Sequence, residues 1–336
     1  MLEHGGRRRE AAARFGIALA DWLDLSTGIN PHGYPPPAVP SEHWLRLPEE
    51  DDGLEAAAAA YYGSTELLAL AGSQAAIQAL PRVLFPATKR PRIGILAPSY
   101  AEHARAWRTA ELSAFGPAGI DEAIAHVDGL LLVHPNNPTG HRWPPAQLLA
   151  WHERLAARRG WLVIDEAFVD TTPELSLAAH AGAPGLVILR SLGKFFGLAG
   201  LRVGFVLAAR PVRDGLREAL GPWTLSGPSR FVATRALLDT GWQRETRARL
   251  EAEGKRLERL LLECGLGRST GCSLFRYVEC SDALELHRAL AQQGILVRLF
   301  DRPAALRFGL PADEREWTRL AAGLHALARN RIRIPT

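Results

Sequence analysis

One lysine stands where arginine could not replace it. The run Ser191-Leu192-Gly193-Lys194-Phe195-Phe196-Gly197-Leu198-Ala199-Gly200-Leu201-Arg202 keeps Lys194 in a chain whose 40 basic side chains are otherwise arginine, apart from Lys89 and Lys255. An ammonium can lose its proton and condense with an aldehyde, whereas a guanidinium stays protonated. Lys194, between a hydroxyl residue and a downstream arginine, therefore points to a Schiff base with the aldehyde of pyridoxal 5'-phosphate. Taken alone, the segment also fits a surface lysine in a Gly-rich loop.

Three further loops carry polar groups suited to the same cofactor. Ala71-Gly72-Ser73-Gln74 stands between an expected strand and an expected helix, so its amides make an anion site for phosphate. Gly-Ser is common at helix starts, which keeps the plain reading open. Pro135-Asn136-Asn137-Pro138-Thr139-Gly140 forms a rigid turn after an apolar run, at a strand end where open α/β sheets bind ligands. There the Asn137 amide would donate to the phenolic oxygen, although a plain turn also fits. Asp165-Glu166-Ala167-Phe168 ends another apolar run, and a carboxylate at that point holds a pyridine nitrogen protonated. A helix-capping carboxylate is the alternative. Ser191 and Arg202 bracket Lys194, and arginine offers paired charge-assisted bonds to phosphate.

Alternating strands and helices must position these loops. Leu130 to Val133, Trp161 to Ile164 and Leu186 to Leu189 are short apolar runs bounded by turn signals, which read as buried parallel strands. Arg92 to Leu96 is a further strand, and helices are expected over Ser73 to Leu84 and Pro145 to Arg159. This alternation implies an α/β domain with helices on both sheet faces. Val203 to Leu207 reads as another strand. Beyond Pro222 the pattern changes to a long helix over Pro228 to Leu262 with room for one break. Strand Ser273 to Val278, helix Ala283 to Gln293, strands Ile295 to Leu299 and Ala304 to Phe308, and helix Ala312 to Ala328 follow. The expected division is an arm over 1–40, a large α/β domain over 41–222 and a small α+β domain over 223–336.

Composition agrees with an enzyme acting on a small molecule. A formal charge of +4, spread among mixed pairs, gives no case for nucleic acid. No apolar run reaches about 18 residues, so no membrane span is expected. The charged start lacks an apolar stretch behind it, unlike a secretory signal. Cys264, Cys272 and Cys280 are few, odd in number and lack C-x-x-C spacing. Neither a disulfide framework nor a metal site is expected, and a reducing cytoplasm is the default.

In this order, and across nearly the whole chain, the four loops resemble those of the fold type I, aspartate-aminotransferase-like enzymes. The resemblance implies a large domain with a mostly parallel seven-stranded sheet, a smaller α+β C-terminal domain, and pyridoxal 5'-phosphate as cofactor. It makes Lys194 the cofactor-bearing lysine, Asp165 the partner of the ring nitrogen and Asn137 the donor to the phenolic oxygen. Gly72, Ser73, Gln74, Ser191 and Arg202 would hold the phosphate, and Tyr100 would stack on the ring. Tyr61 matches a tyrosine that the family lends to the neighbouring subunit's phosphate, which implies a homodimer. Most aminotransferases place tyrosine where this chain has Phe168. Phenylalanine cannot donate to the phenolic oxygen, leaving Asn137 with less help.

The chain ends narrow the resemblance. His4-Gly5-Gly6, Asp24-Leu25-Ser26-Thr27-Gly28-Ile29-Asn30-Pro31 and Gly33-Tyr34-Pro35 are similar to the start of the threonine-phosphate decarboxylases of cobalamin biosynthesis. Histidinol-phosphate aminotransferases share the sheet loops but as a rule lack this opening. Gly294-Ile295-Leu296-Val297-Arg298 and Leu306-Arg307-Phe308-Gly309 resemble the arginine strands of both groups. By that resemblance Arg307 grips the α-carboxylate of a small phosphorylated amino acid. Arg298 takes its phosphate with His4 and the turn of Gly28, Ile29 and Asn30, and Asn137 contacts the substrate. The implied reaction is decarboxylation of L-threonine O-3-phosphate. Transamination by the same residues stays open, because the choice depends on a rotation that no motif records.

Overall fold

The structure is a computed structural model that describes residues 4–85 and 90–332; Lys89 lies outside the described residues. The chain divides into two compact units, Gly33–Asn137 with His141–Glu245, and Met1–His32 with Pro138–Gly140 and Thr246–Thr336.

The large unit is built on seven strands: β1 (Leu67–Leu70), β2 (Arg92–Leu96), β3 (Glu111–Phe115), β4 (Gly129–Val133), β5 (Trp161–Asp165), β6 (Leu186–Ser191) and β7 (Gly204–Ala208). Their order across the sheet is β1-β7-β6-β5-β4-β2-β3. The pairs β2–β3, β2–β4, β4–β5 and β5–β6 are parallel, while β7 runs antiparallel to both its neighbours. The expected mostly parallel α/β sheet is therefore present. Every residue of β4 and β7 is buried, as both-face coverage requires of a parallel core. Helix Ser73–Leu84 turns Ala76, Ile77, Leu80 and Leu84 inward, one stripe of a 3.6-residue period. That stripe joins Leu70, Ile93, Leu131, Val163, Val187 and Val206 in the sheet core. β3 was not expected from the sequence. It is an edge strand with no buried residue, so it carries no apolar run to betray it.

The small unit has a four-stranded antiparallel sheet whose middle strands are Phe275–Glu279 and Ala304–Gly309. Where one strand was expected over 295–299, two short ones occur. Ile295–Leu296 pairs in parallel with Leu23–Asp24, and Arg298–Asp301 pairs with Ala304–Gly309. The pairing to Leu23–Asp24 ties the chain start into this unit. The first boundary therefore lies after His32, where an arm ending at residue 40 was expected.

The second boundary also moves, from 222 to 245. The expected long helix breaks at Asp239, whose Oδ1 accepts from the amide of Trp242 at 2.9 Å, giving helices Gly227–Leu238 and Thr240–Glu263. The first of these is tied to the large unit through Arg230. That side chain donates to Asp52 Oδ2 at 2.7 Å and to Glu55 Oε2 at 2.6 Å. Burial alone would raise the Asp52 carboxyl, but the Arg230 bonds outweigh it and hold the group below its usual range. Arg230→Ala is expected to cost about 1–3 kcal/mol in urea unfolding at pH 7, because the buried guanidinium's charge-assisted bonds to Asp52 and Glu55 are lost. The Asp52 share of the effect is present above pH 4 or so and fades as acid protonates the carboxylate.

Candidate active site

The loops at one end of the sheet close around a cavity of about 100 Å³. It is lined by Gly72, Ser73, Gln74, Tyr100, Asn137, Asp165, Ser191, Lys194 and Arg202, together with Val133, Ala167 and Phe168. Of the residues expected to hold the cofactor, only Tyr61 is outside this lining.

Each wall follows from its strand. After β1, Gly72 adopts φ +74°, and Ser73 opens the helix that follows. A Cβ on Gly72 would lie 2.8 Å from Arg202 Nη2, and one on Gly204 would lie 2.5 Å from the Ser73 amide nitrogen. The glycines thus allow helix amides and a guanidinium to converge, which is an anion cradle. Arg202 itself has φ 57°, a left-handed conformation costly for a side-chain-bearing residue and typical of functional positions. The Gln74 side chain points elsewhere. Its Nε2 donates to Glu102 Oε2 at 3.0 Å, and its Oε1 accepts from the Tyr100 hydroxyl at 3.3 Å.

After β5, Asp165 is buried and doubly held. Its Oδ2 lies 3.0 Å from His103 Nε2, and its Oδ1 accepts from the Ala167 amide at 3.1 Å. Burial, then the charges of Asp165 and Glu102, push the Tyr100 hydroxyl up to about 12, so the ring stays neutral. Lys194 Nζ lies 5.6 Å from the centre of the Phe168 ring. The next carboxylate, Glu166, enters a buried network in which Arg190 Nη1 donates to Glu166 Oε2 at 3.0 Å and Nη2 to Asp170. Burial raises the Glu166 carboxyl against the pull of Arg190. Arg190 precedes Ser191, so this network clamps the ends of β5 and β6. The Tyr61 hydroxyl donates to Asp170 Oδ1 at 2.9 Å.

The small unit gathers the other expected residues. Arg298 and Arg307 are register partners on adjacent strands. Arg307 is buried and donates from Nη2 to Ser26 O at 2.9 Å. Burial, then the positive charge of Arg298, pushes its guanidinium down to about 10. Gly28 and Asn30 are buried, Ile29 is half-buried, and Asn30 Oδ1 accepts from the His32 amide at 2.9 Å. The Gly6 amide donates to Ser26 Oγ at 2.7 Å, and His4 lines one cavity with Ser26 and Arg298.

His103, Glu102 and Asn136 escaped the sequence reading. Asn136 donates from Nδ2 to Pro98 O at 2.9 Å and accepts from Ser99 Oγ at 3.0 Å, which fixes the loop that presents Asn137. Tyr100 precedes helix Ala101–Ala106 and His103 lies within it, so no shared helix face marked the histidine in the sequence.

The large-unit cavity offers an amine, a buried carboxylate, an aromatic face and an anion cradle. These are the groups that an aldehyde, a basic ring nitrogen, a planar ring and a phosphate require, so the residues fit pyridoxal 5'-phosphate. Residues 22–326 match the family model of class I and II aminotransferases. The chain is 56% identical, over 96% of its length and 97% of the relative's, to a threonine-phosphate decarboxylase of Pseudomonas aeruginosa. It is 35% identical to a histidinol-phosphate aminotransferase of Sodalis glossinidius over 62% of this chain and 60% of that protein. Its fold is similar to a structure of the Sinorhizobium meliloti histidinol-phosphate aminotransferase in complex with pyridoxal-5'-phosphate. The TM-score is 0.82 and the identity 20%, with 98% of this chain and 96% of that one covered.

Proposed function

We propose a function for a chain that belongs to the class I and II aminotransferase family and, within it, to the threonine-phosphate decarboxylases. It removes carbon dioxide from L-threonine O-3-phosphate with pyridoxal 5'-phosphate as cofactor, and releases (R)-1-aminopropan-2-yl phosphate for cobalamin biosynthesis. The observation that carries this reading is the 56% identity to a decarboxylase over nearly the whole of both chains. The cavity chemistry alone would serve an aminotransferase equally.

When bound, the cofactor would supply an electron sink for a bond broken at the substrate α-carbon. The protein's share is to hold the groups in place. Lys194, in the cavity lining, would hold the cofactor through its amine and would be the group placed to supply a proton at the substrate α-carbon. Asp165 would keep a proton on the ring nitrogen, and His103 and the Ala167 amide fix its carboxylate. Asn137 donates to the phenolic oxygen and contacts substrate. Tyr100 covers the ring, worth on the order of 1 kcal/mol. Ser73, Ser191 and Arg202 take the phosphate, with Gln74 contributing through its backbone.

Arg307 binds the substrate carboxylate, and Arg298 takes the substrate phosphate with His4 and residues Gly28, Ile29 and Asn30. A bound anion would offset both the burial and the Arg298 charge that push the Arg307 guanidinium down. Arg307→Ala is expected to raise KM for threonine phosphate about 100-fold, from the loss of paired charge-assisted bonds; an unchanged KM in a steady-state assay would remove the residue from this role.

The same reading makes the enzyme a cytoplasmic homodimer in which Tyr61 serves the neighbouring subunit. Its support is a cysteine set that is small, odd in number and without C-x-x-C spacing, and the exposed Trp44, Leu45 and Leu47, a patch suited to burial against a second copy. Among the described residues, no helix is long and apolar enough to cross a membrane.

The test follows carbon dioxide release and cofactor absorbance together on mixing with L-threonine O-3-phosphate. Carbon dioxide over many turnovers with the aldehyde form retained supports the decarboxylase. Conversion to the amino form without carbon dioxide replaces it with an aminotransferase.

A further inference from the structure

The small unit holds a cavity of about 140 Å³ whose polar wall is dominated by arginine and histidine. Besides His4 and Arg298, it is lined by Arg7, Arg14, His287 and Arg288, and among the described residues Glu10 is the one carboxylate in its lining. Glu10 lies 3.1 Å from Arg7, and its single negative charge is outnumbered by Arg7, Arg14, Arg288 and Arg298 around the cavity. Three separate elements converge on this space: helix Arg8–Phe15, helix Ala283–Gln292 and strand Arg298–Asp301. Arg14 lies 5.5 Å from the Phe15 ring centre, and Ala11, Leu296 and Val297 add an apolar floor.

Like charges brought together beside apolar walls repel one another and focus their field on whatever enters. An anion of high charge density gains most from such a space. A carboxylate carries one charge, whereas a phosphate monoester carries close to two at neutral pH and offers three acceptor oxygens.

We propose that this cavity is a binding subsite for a phosphate monoester dianion, which Arg14, His287 and Arg288 capture and deliver to Arg298. The inference rests on the reading that Arg298 takes the substrate phosphate. The same chemistry is presented by the substrate and by free inorganic phosphate. The subsite therefore acts on substrate capture and makes inorganic phosphate a competitor for it.

The test uses the holoenzyme and the double variant Arg14→Ala/Arg288→Ala. The expected result is a rise in KM for threonine phosphate of about tenfold, with most of the loss in KM rather than kcat. Inhibition by inorganic phosphate weakens by a similar factor, and the fall of kcat/KM with ionic strength becomes shallower. The double Arg→Lys variant restores most of each effect, which a merely structural role would not explain. A folded double-alanine variant with wild-type KM, phosphate inhibition and salt dependence overturns the proposal. Loss of phosphate inhibition with KM unchanged also overturns the capture role, and assigns the cavity to free phosphate. Calorimetric titration of inorganic phosphate into both proteins separates this proposal from the reading beneath it. If wild-type protein releases no carbon dioxide from threonine phosphate, that reading fails, yet about tenfold weaker phosphate binding by the double variant still supports the subsite. Equal phosphate binding by the two proteins refutes it.

Discussion

Arginine in place of Lys194 is expected to lower carbon dioxide release from L-threonine O-3-phosphate by at least about 10⁴-fold while the protein stays folded. The substitution keeps a positive charge and a long aliphatic stem. It therefore retains the attraction to the Phe168 ring, whose centre lies 5.6 Å from Nζ. It also leaves the fully buried neighbours Leu192, Phe195 and Phe196 untouched. Lost is the one capacity that a guanidinium lacks, to shed a proton and attack a carbonyl carbon. Borohydride reduction followed by peptide mass analysis provides an independent readout. Wild-type protein should retain cofactor mass on the peptide containing Lys194, and the variant should not. Activity of the variant within tenfold of wild type would mean that another group bears the cofactor.

The cavity loops were legible in the sequence because each sits just beyond a strand with a continuous apolar signature. Leu130 to Val133 and Leu186 to Leu189 are buried on both faces of the sheet, so no polar residue interrupts them, and the first polar residues mark the strand ends. The same logic failed for Glu111–Phe115, an edge strand that buries no residue. It failed again near Val297, where one apolar run serves two sheets through different partners. Periodicity reports burial but not which element provides it. His103 was hidden for a related reason: its partner Asp165 is 62 positions away, and nothing local distinguishes a buried histidine bound to carboxylate from one facing water. Gln74 shows the converse. Its place in the loop was visible, yet only the structure directs its amide to Glu102 and Tyr100.

Asp165→Asn is expected to lower kcat by about 10²–10⁴-fold with little change in KM. Asparagine is nearly the same size, and its side-chain oxygen can still accept from the Ala167 amide, which Asp165 now does at 3.1 Å. The strand end and cavity shape should therefore survive. The negative charge does not, and with it would go the group proposed to keep the cofactor's ring nitrogen protonated. Arg298 and Arg307 are unaltered, so substrate capture should persist and the loss should fall on kcat. His103→Ala is expected to have a weaker effect, about tenfold, because the imidazole orients the carboxylate at 3.0 Å without replacing its charge. The two variants together order the dependence: a His103 variant as damaged as the Asp165 variant would make the histidine an obligatory charge partner. Wild-type kcat in Asp165→Asn, with cofactor bound, would show that the buried carboxylate serves the fold rather than the reaction.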